Sequence, residues 1–289
     1  MNTNYQYEWI SGLTDGDGTF SFSLNKKEKL QWNCTFKIGA SDRNMQMLHY
    51  CRQILGRGSV NPRAGKGGAE FRIRDRKVLK DFIVPFFQQH PLYTTKAFYF
   101  ERWCMAINIL ECKALSKEEK NKQLQVLRGQ HPLTTYRAPA WDCIASKKAP
   151  KAPNKGWVCG FTEAEGSFFI TNKAGCKGER FVHSFGITQK LDPHVLEHIR
   201  AIFHIPASVL HRCPAAGGVY YRLESSNFRS LLRIRHYFKG AFRGRKSLEF
   251  RIWERTLKWR GKSSRLKEIQ QLLRNLRQIS PCLKESQPL

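Results

Sequence analysis

Trp9–Phe22 reads WISGLTDGDGTFSF, and the chain returns to the same pattern at Trp157–Ile170, WVCGFTEAEGSFFI. Aligned, the copies share Trp9/Trp157, Gly12/Gly160, Thr14/Thr162, Gly18/Gly166 and Phe20/Phe168. Most other positions are swapped in kind: Ile10 for Val158, Leu13 for Phe161, Asp15 for Glu163, Asp17 for Glu165. Each copy predicts a helix that ends in a turn and runs into a strand. Gly12 and Gly16, and in the copy Gly160 and Ala164, share one helix face, where small residues let two backbones approach. Gly18 and Gly166 are placed as glycines that close a helix C-terminus. The acids before them then sit in the last turn, where the partial negative charge of the helix disfavours them. If the two helices pack together, Asp17 and Glu165 converge, and crowded carboxylates repel unless a cation lies between them. A single such acid would be read as capping a solvated turn. Two copies breaking the same rule at the same place point to a divalent-metal site.

The composition agrees with a polyanion as partner. The 289 residues carry 50 Lys+Arg against 23 Asp+Glu, a formal charge of +27, with the basic residues spread over both halves. Hydrophobic content of 41% makes the chain globular, long enough for two modest domains. No apolar run approaches membrane-spanning length, so no membrane partner is expected. The N-terminus, MNTNYQYEW, has neither a signal-peptide core nor the arginines of a transit peptide, which places synthesis in the compartment of action. The nine cysteines are scattered without a C-x-x-C pair, which argues against zinc fingers and a disulfide framework. Cys34, Cys104 and Cys159 fall in apolar-periodic stretches and read as small core residues.

Downstream of the motif, Thr19–Leu24 alternates strictly, Asn25–Leu30 is a charged turn and Gln31–Ile38 alternates again, which predicts a hairpin with one apolar face. Met45–Leu55 reads as an amphipathic helix ending at Gly56. A second hairpin follows, with its tip at Asn61–Ala69 and a return strand at Glu70–Arg74. Val78–Phe87 and Thr94–Leu110 read as helices, the latter capped by Thr94 or Thr95. The second half repeats this order through Ser167–Thr171, Phe181–Ile187, Pro193–Phe203 and Tyr220–Leu223. At one common offset Lys96, Phe100 and Trp103 meet Lys246, Phe250 and Trp253. Ser116–Arg128 and Ser263–Gln278 close each half as polar helices. The predicted fold is α+β: two pseudo-symmetric αββαββα repeats, each a four-stranded antiparallel sheet with helices on one face, joined through the paired motif helices. Residues 1–136 and 157–289 are the repeats. Residues 137–156, with three prolines and four lysines, are the linker.

The polar sheet faces carry Ser21, Ser23, Asn33, Thr35, Lys37, Arg72 and Arg74 in the first half, and Arg180, Ser184 and Arg222 in the second. Such two-stranded ribbons fit the DNA major groove, where Arg, Lys and Asn read base edges. Two carboxylates suit hard cations such as Mg²⁺, and two such ions can activate water and stabilise a leaving oxygen in phosphodiester hydrolysis. His194 and His198 (HVLEH) fit a zinc-hydrolase spacing, but no third ligand is evident and the pair lies outside the duplicated plan.

Ile10–Gly18 and Val158–Gly166 resemble the paired signature motifs of the LAGLIDADG homing endonucleases in their single-chain, two-repeat form, and the resemblance runs from about Tyr7 to about Trp259. It implies a monomer that cuts both strands of a long, pseudo-palindromic DNA site, leaving short 3′ overhangs. It also implies an intron-encoded gene in a chloroplast or mitochondrion. Asp17 and Glu165 become the acids that share two or three Mg²⁺ ions, assisted by the backbone carbonyls of Gly16 and Ala164. Asp15 and Glu163 occupy the earlier acidic position, to which the family assigns no essential metal role. Lys96 and Lys246 match the basic residues beside the scissile phosphates, and Gln189 matches a residue that orders water near the metals. Its partner position, about Ala40, cannot do this, so unequal cutting of the two strands is expected. The alternative is an RNA-binding intron maturase on the same fold, with host intron RNA as partner, because a basic surface does not separate DNA from RNA.

Overall fold

The duplicated motif forms a helix that enters a strand with no intervening loop. In the computed structural model, which describes residues 3–25, 31–63, 67–143, 153–175, 178–213 and 218–278, helix α1 (Thr3–Asp17) leads straight into strand β1 (Gly18–Leu24). Strand β2 (Trp32–Ala40) returns antiparallel, with Thr19 opposite Lys37, Ser21 opposite Thr35 and Ser23 opposite Asn33. Because side chains alternate along a strand, Phe20, Phe22, Trp32, Cys34 and Phe36 are buried together while the polar set faces away. Helix α2 (Met45–Leu55) stops at Gly56, whose φ of 66° is left-handed. Strands β3 (Ser59–Pro62) and β4 (Ala69–Ile73) complete a sheet of order β1-β2-β4-β3. Helices α3 (Arg76–Val78) and α4 (Val84–Gln89) are joined by a π turn at Leu79–Ile83, and Asp75 starts them by accepting from the Val78 N–H at 2.8 Å. Helix α5 (Lys96–Glu111) packs against β1 and β2, and α6 (Lys117–Gly129), opened by a Ser116/Glu119 capping box, packs on α5.

After the short helix α7 (Ala140–Cys143) the order repeats: α8 (Lys155–Glu165), β5 (Gly166–Gly175), β6 (Gly178–Gln189), α9 (Pro193–Ile202), β7 (Leu210–Arg212) and β8 (Tyr220–Ser225). Helices α10 (Phe228–Phe238), α11 (Lys246–Thr256) and α12 (Ser263–Gln278) follow. The second sheet has the matching order β5-β6-β8-β7. The cores match as well. Phe20 meets Phe36, Phe87, Phe100 and Trp103, while Phe168 meets Phe185, Phe238, Phe250 and Trp253. The packed pair α1 and α8 links the halves into one continuous core.

Several local expectations change. Gly166 is extended (φ −72°, ψ 153°), and Gly18 is likewise outside the left-handed region. Glycine is needed there for space, since a Cβ on Gly18 would overlap the Thr14 side chain and lie 2.6 Å from the Thr14 carbonyl oxygen. Of the two threonines expected to cap α5, the Thr94 hydroxyl accepts from the Lys96 N–H at 3.1 Å, whereas Thr95 makes no side-chain cap because its hydroxyl donates to Asp192. The linker reading over 137–156 falls partly outside the described residues, as do parts of the turn at 25–30 and the tip at 61–69. At the start of the linker, Trp141 is buried and its indole N–H donates to the Tyr93 carbonyl at 2.7 Å. No helix among the described residues is long and apolar enough to cross a membrane.

One buried histidine makes stability depend on pH. His183 lies inside the second half with Nε2 3.0 Å from Thr256 Oγ1, and that hydroxyl also lies 3.0 Å from the Ile252 carbonyl oxygen, to which it donates. Nε2 therefore carries a proton and donates to Thr256, and burial, which disfavours the charged ring, pushes its pKa down from 6.5 to about 4. Between those values the unfolded chain binds the proton and the folded chain does not. Stability should fall as pH drops through that window, by about 3 kcal/mol in all. His183→Gln keeps a donor for Thr256 and should remove this dependence. Urea denaturation of both proteins at pH 7 and pH 5 measures it as the change in their difference.

Candidate active site

The geometry of the site begins with the absence of side chains. A Cβ on Gly12 would overlap the Trp157 carbonyl, one on Gly160 would overlap the Trp9 carbonyl, and one on Gly16 would overlap Ala164 Cβ. Helices α1 and α8 therefore touch backbone to backbone, which brings their C-terminal acids together. Glu165 Oε1 lies 3.4 Å from the point a Cβ on Gly16 would occupy. Burial raises the Glu165 carboxyl and the charge of Asp17 raises it further, while Lys246, Lys96 and a hydrogen bond from Gln189 oppose the rise. Asp17, open to solvent yet crowded by protein, is also raised by desolvation, against Lys246, Lys96 and Arg63. The two acids predicted to converge do so.

Two lysines close over the acids. Lys96 opens α5, and its Nζ donates to the carbonyls of Gly16 at 3.1 Å and Gly18 at 2.6 Å. Lys246 opens α11 and donates to the Gly166 carbonyl. Burial lowers both ammonium pKa values, and the neighbouring carboxylates, including Asp17 for each, pull them back up. Lys96, Glu165 and Gln189 open onto one cleft of about 480 Å³.

The earlier acids of the motif hold the lysines in place. Asp15, fully surrounded, accepts from the backbone N–H of Tyr93 (2.7 Å) and Thr94 (3.2 Å), from the Thr94 hydroxyl, and from the Trp157 indole at 2.9 Å. Burial pushes its carboxyl up to about 7 even so. Glu163 accepts from the Arg243 N–H at 2.7 Å. Each acid thus pins the segment that delivers a lysine. Two further contacts cross between the halves. Asp192 accepts from the Thr95 N–H and hydroxyl, both at 2.8 Å, and Asn44 accepts from the Arg245 N–H at 2.8 Å. The sequence reading missed Asp192 and Asn44. Their only local signal is a polar residue just before a helix, and that signal predicts a cap for their own helix.

The sheet faces hold most of the polar residues expected on them. Ser23, Asn33 and Arg74 are exposed, Ser21, Thr35, Lys37 and Arg72 are half-buried on the same face, and in the second half Arg180 is exposed and Arg222 half-buried. Ser184 departs from the expectation. It is fully buried opposite Phe169, with its hydroxyl 2.8 Å from Thr171 Oγ1, so it is a packed sheet residue with no open surface. Cross-strand register adds two cations to that face: Lys173 opposite Arg180 and Arg212 opposite Tyr220. His194 and His198 pack edge-on against Trp141, and His198 Nε2 lies 3.2 Å from the Pro153 carbonyl oxygen, so the pair serves the core between the halves.

Comparison with known proteins gives the same architecture a lineage. The family model described as LAGLIDADG endonuclease matches residues 10–107 and again 158–257. The probable intron-encoded endonuclease Cox1-I1b of Schizosaccharomyces pombe is 32% identical over 274 residues, which cover 93% of this chain and 68% of that protein. The uncharacterized mitochondrial protein RF1 of Saccharomyces cerevisiae is 24% identical over 87% of this chain, which spans about half (54%) of that relative. Among solved structures, the meganuclease I-SmaMI bound to uncleaveable DNA superposes with a TM-score of 0.72 at 20% identity, over 93% of this chain and 95% of its own. I-SmaMI has also been solved bound to cleaved DNA, and with uncleaved target in the presence of calcium ions. Two matched repeats, each ending its motif helix at the shared acidic floor, show that this chain belongs to the LAGLIDADG endonuclease family.

Proposed function

We propose that this protein is a site-specific homing endonuclease that hydrolyses both strands of a long, pseudo-palindromic DNA site and requires divalent metal. The observation that carries this reading is the pair Asp17 and Glu165, held together by helices in backbone contact and flanked by two half-buried lysines, between two basic sheet faces. Paired carboxylates with no thiolate or imidazole among them are a donor set for Mg²⁺ rather than zinc. Asp17 and Glu165 would hold the ions. The Ala164 carbonyl is a further candidate, whereas the Gly16 carbonyl already accepts from Lys96. Bound metal supplies Lewis-acid stabilisation and a water of lowered pKa. Lys96 and Lys246 place positive charge beside the phosphate as negative charge builds on its oxygens. Gln189 orients water at the Glu165 side. Arg72, Arg74, Lys37, Asn33, Thr35, Ser21 and Ser23, with Arg180 and Arg222, line the DNA. The protein works as a monomer on organelle DNA, in keeping with its fungal intron-encoded and mitochondrial relatives.

Purified protein incubated in Mg²⁺ with a randomised or host-genomic DNA library, with the ends sequenced, tests the reading. Discrete cuts at one long site, absent in EDTA, are the expected result. An uncut library containing the host DNA would overturn it, and retention of host intron RNA by the same protein would favour the maturase reading.

A further inference from the structure

The two halves are not equivalent at the end of the second strand of each sheet. Gly18 pairs with Ile38 and Gly166 with Ile187, so Gly39 and Ala40 are the counterparts of Thr188 and Gln189. In the second half Thr188 and Gln189 line the cleft, and Gln189 hydrogen-bonds Glu165. Gly39 and Ala40 bring no functional group to the Asp17 side. The space above them is filled from elsewhere in the chain. The guanidinium of Arg63, just past β3, lies so close over Gly39 that a Cβ there would overlap its terminal nitrogen. The chain is fixed in that position at three points. The Arg63 N–H donates to the Gly68 carbonyl at 2.7 Å, the Gly68 N–H donates to Asp42, and Gly68, at φ +126°, has room only for a hydrogen beside the Ala40 carbonyl. The guanidinium itself is held by Glu70, a carboxylate only 4% exposed on the basic face, whose Oε2 is 3.6 Å from Arg63 Nε and which also pairs with Arg72. The charge of Arg63 is felt at Asp17.

We propose that Arg63 completes the Asp17 centre from the position that Gln189 occupies at the Glu165 centre, and that it does so by binding the DNA phosphate there, where Gln189 orients water. A guanidinium presents paired donors that match two phosphate oxygens, whereas the Gln189 amide is neutral. The two centres therefore use different chemistry: one is completed by a strand-end amide, the other by a cation brought over from a hairpin. Glu70 is the positioning residue that aims it. This inference rests on the nuclease reading above.

The test follows each strand separately, on a supercoiled plasmid carrying the site recovered with the wild-type protein. Arg63→Ala should slow one strand by about 100-fold and the other by less than about threefold, so that nicked circles accumulate. Gln189→Ala should slow the opposite strand. Gly39→Val, which displaces the guanidinium without removing it, should reproduce the Arg63→Ala pattern, and guanidinium ion added to Arg63→Ala should restore part of the lost rate. Binding measured in Ca²⁺ should weaken by less than roughly tenfold. Equal slowing of both strands, or a loss confined to affinity, would make Arg63 an ordinary contact of the DNA face and sink the proposal. A wild type that nicks neither strand would overturn the nuclease reading, and this one with it.

Discussion

Asp17→Asn should abolish double-strand cleavage and leave DNA binding intact, and Glu165→Gln should do the same. Each change keeps the size of the side chain and one acceptor oxygen, and removes one of the two charges that face each other at the base of α1 and α8. The remaining carboxylate then faces Lys96 and Lys246 with no partner to hold a divalent ion. A loss of about a thousandfold in rate, roughly 4 kcal/mol of barrier, is the expected size. The DNA face lies on the sheets, so affinity measured by fluorescence anisotropy should change little. Removing a repulsive neighbour should also raise the thermal midpoint, since Asp17 disfavours ionised Glu165. Cleavage that persists in either variant would take the metal role away from that acid.

Gly160→Ala is expected to have the largest effect on folding. Its methyl would overlap the Trp9 carbonyl oxygen and lie 2.8 Å from the Leu13 nitrogen, and both are backbone atoms of the buried stretch of α1, Trp9–Asp15. A flexible neighbour can swing aside, but a helix backbone cannot. Relief requires α1 and α8 to separate along their whole length, which would strip the Trp157–Asp15 hydrogen bond and part Asp17 from Glu165. A destabilisation above about 3 kcal/mol is expected, at the upper end for overpacking, and the chain should be largely insoluble or inactive. Gly129→Ala is the control. That exposed glycine ends helix α6 with nothing within 4 Å of an added Cβ. The same chemical change there should stabilise by about 0.5 kcal/mol or more, because alanine loses less backbone entropy in a helix. Urea midpoints compare the two, and equal midpoints would refute the account of the helix contact.

The local rules worked where their physical cause was local. Alternation in TFSFSL and QWNCTFKI selected the hairpin because strand side chains alternate regardless of what covers them. Small residues four apart marked the helix contact because only one face of each helix has to be bare. Local rules misplaced Gly18 and Gly166 and left the cap of α5 open between Thr94 and Thr95, where a close neighbour outweighed or chose the role of the residue type. Gly18 yields to Thr14, and the Thr95 hydroxyl is taken by Asp192.

By itself, then, the sequence determined the duplication, the two sheets with one polar face each, the helix pair and the acids at its base. All of these follow from periodicity and from a repeat written twice. Only the tertiary structure decided what sits around those acids. Asp15 meets Tyr93 and Trp157, Asn44 meets Arg245, Arg63 lies over Gly39, and Ser184 is sealed beneath its neighbours. Partners so far apart along the chain leave no periodic trace, because their pairing depends on the packing of whole helices and sheets rather than on the spacing of residues within one of them.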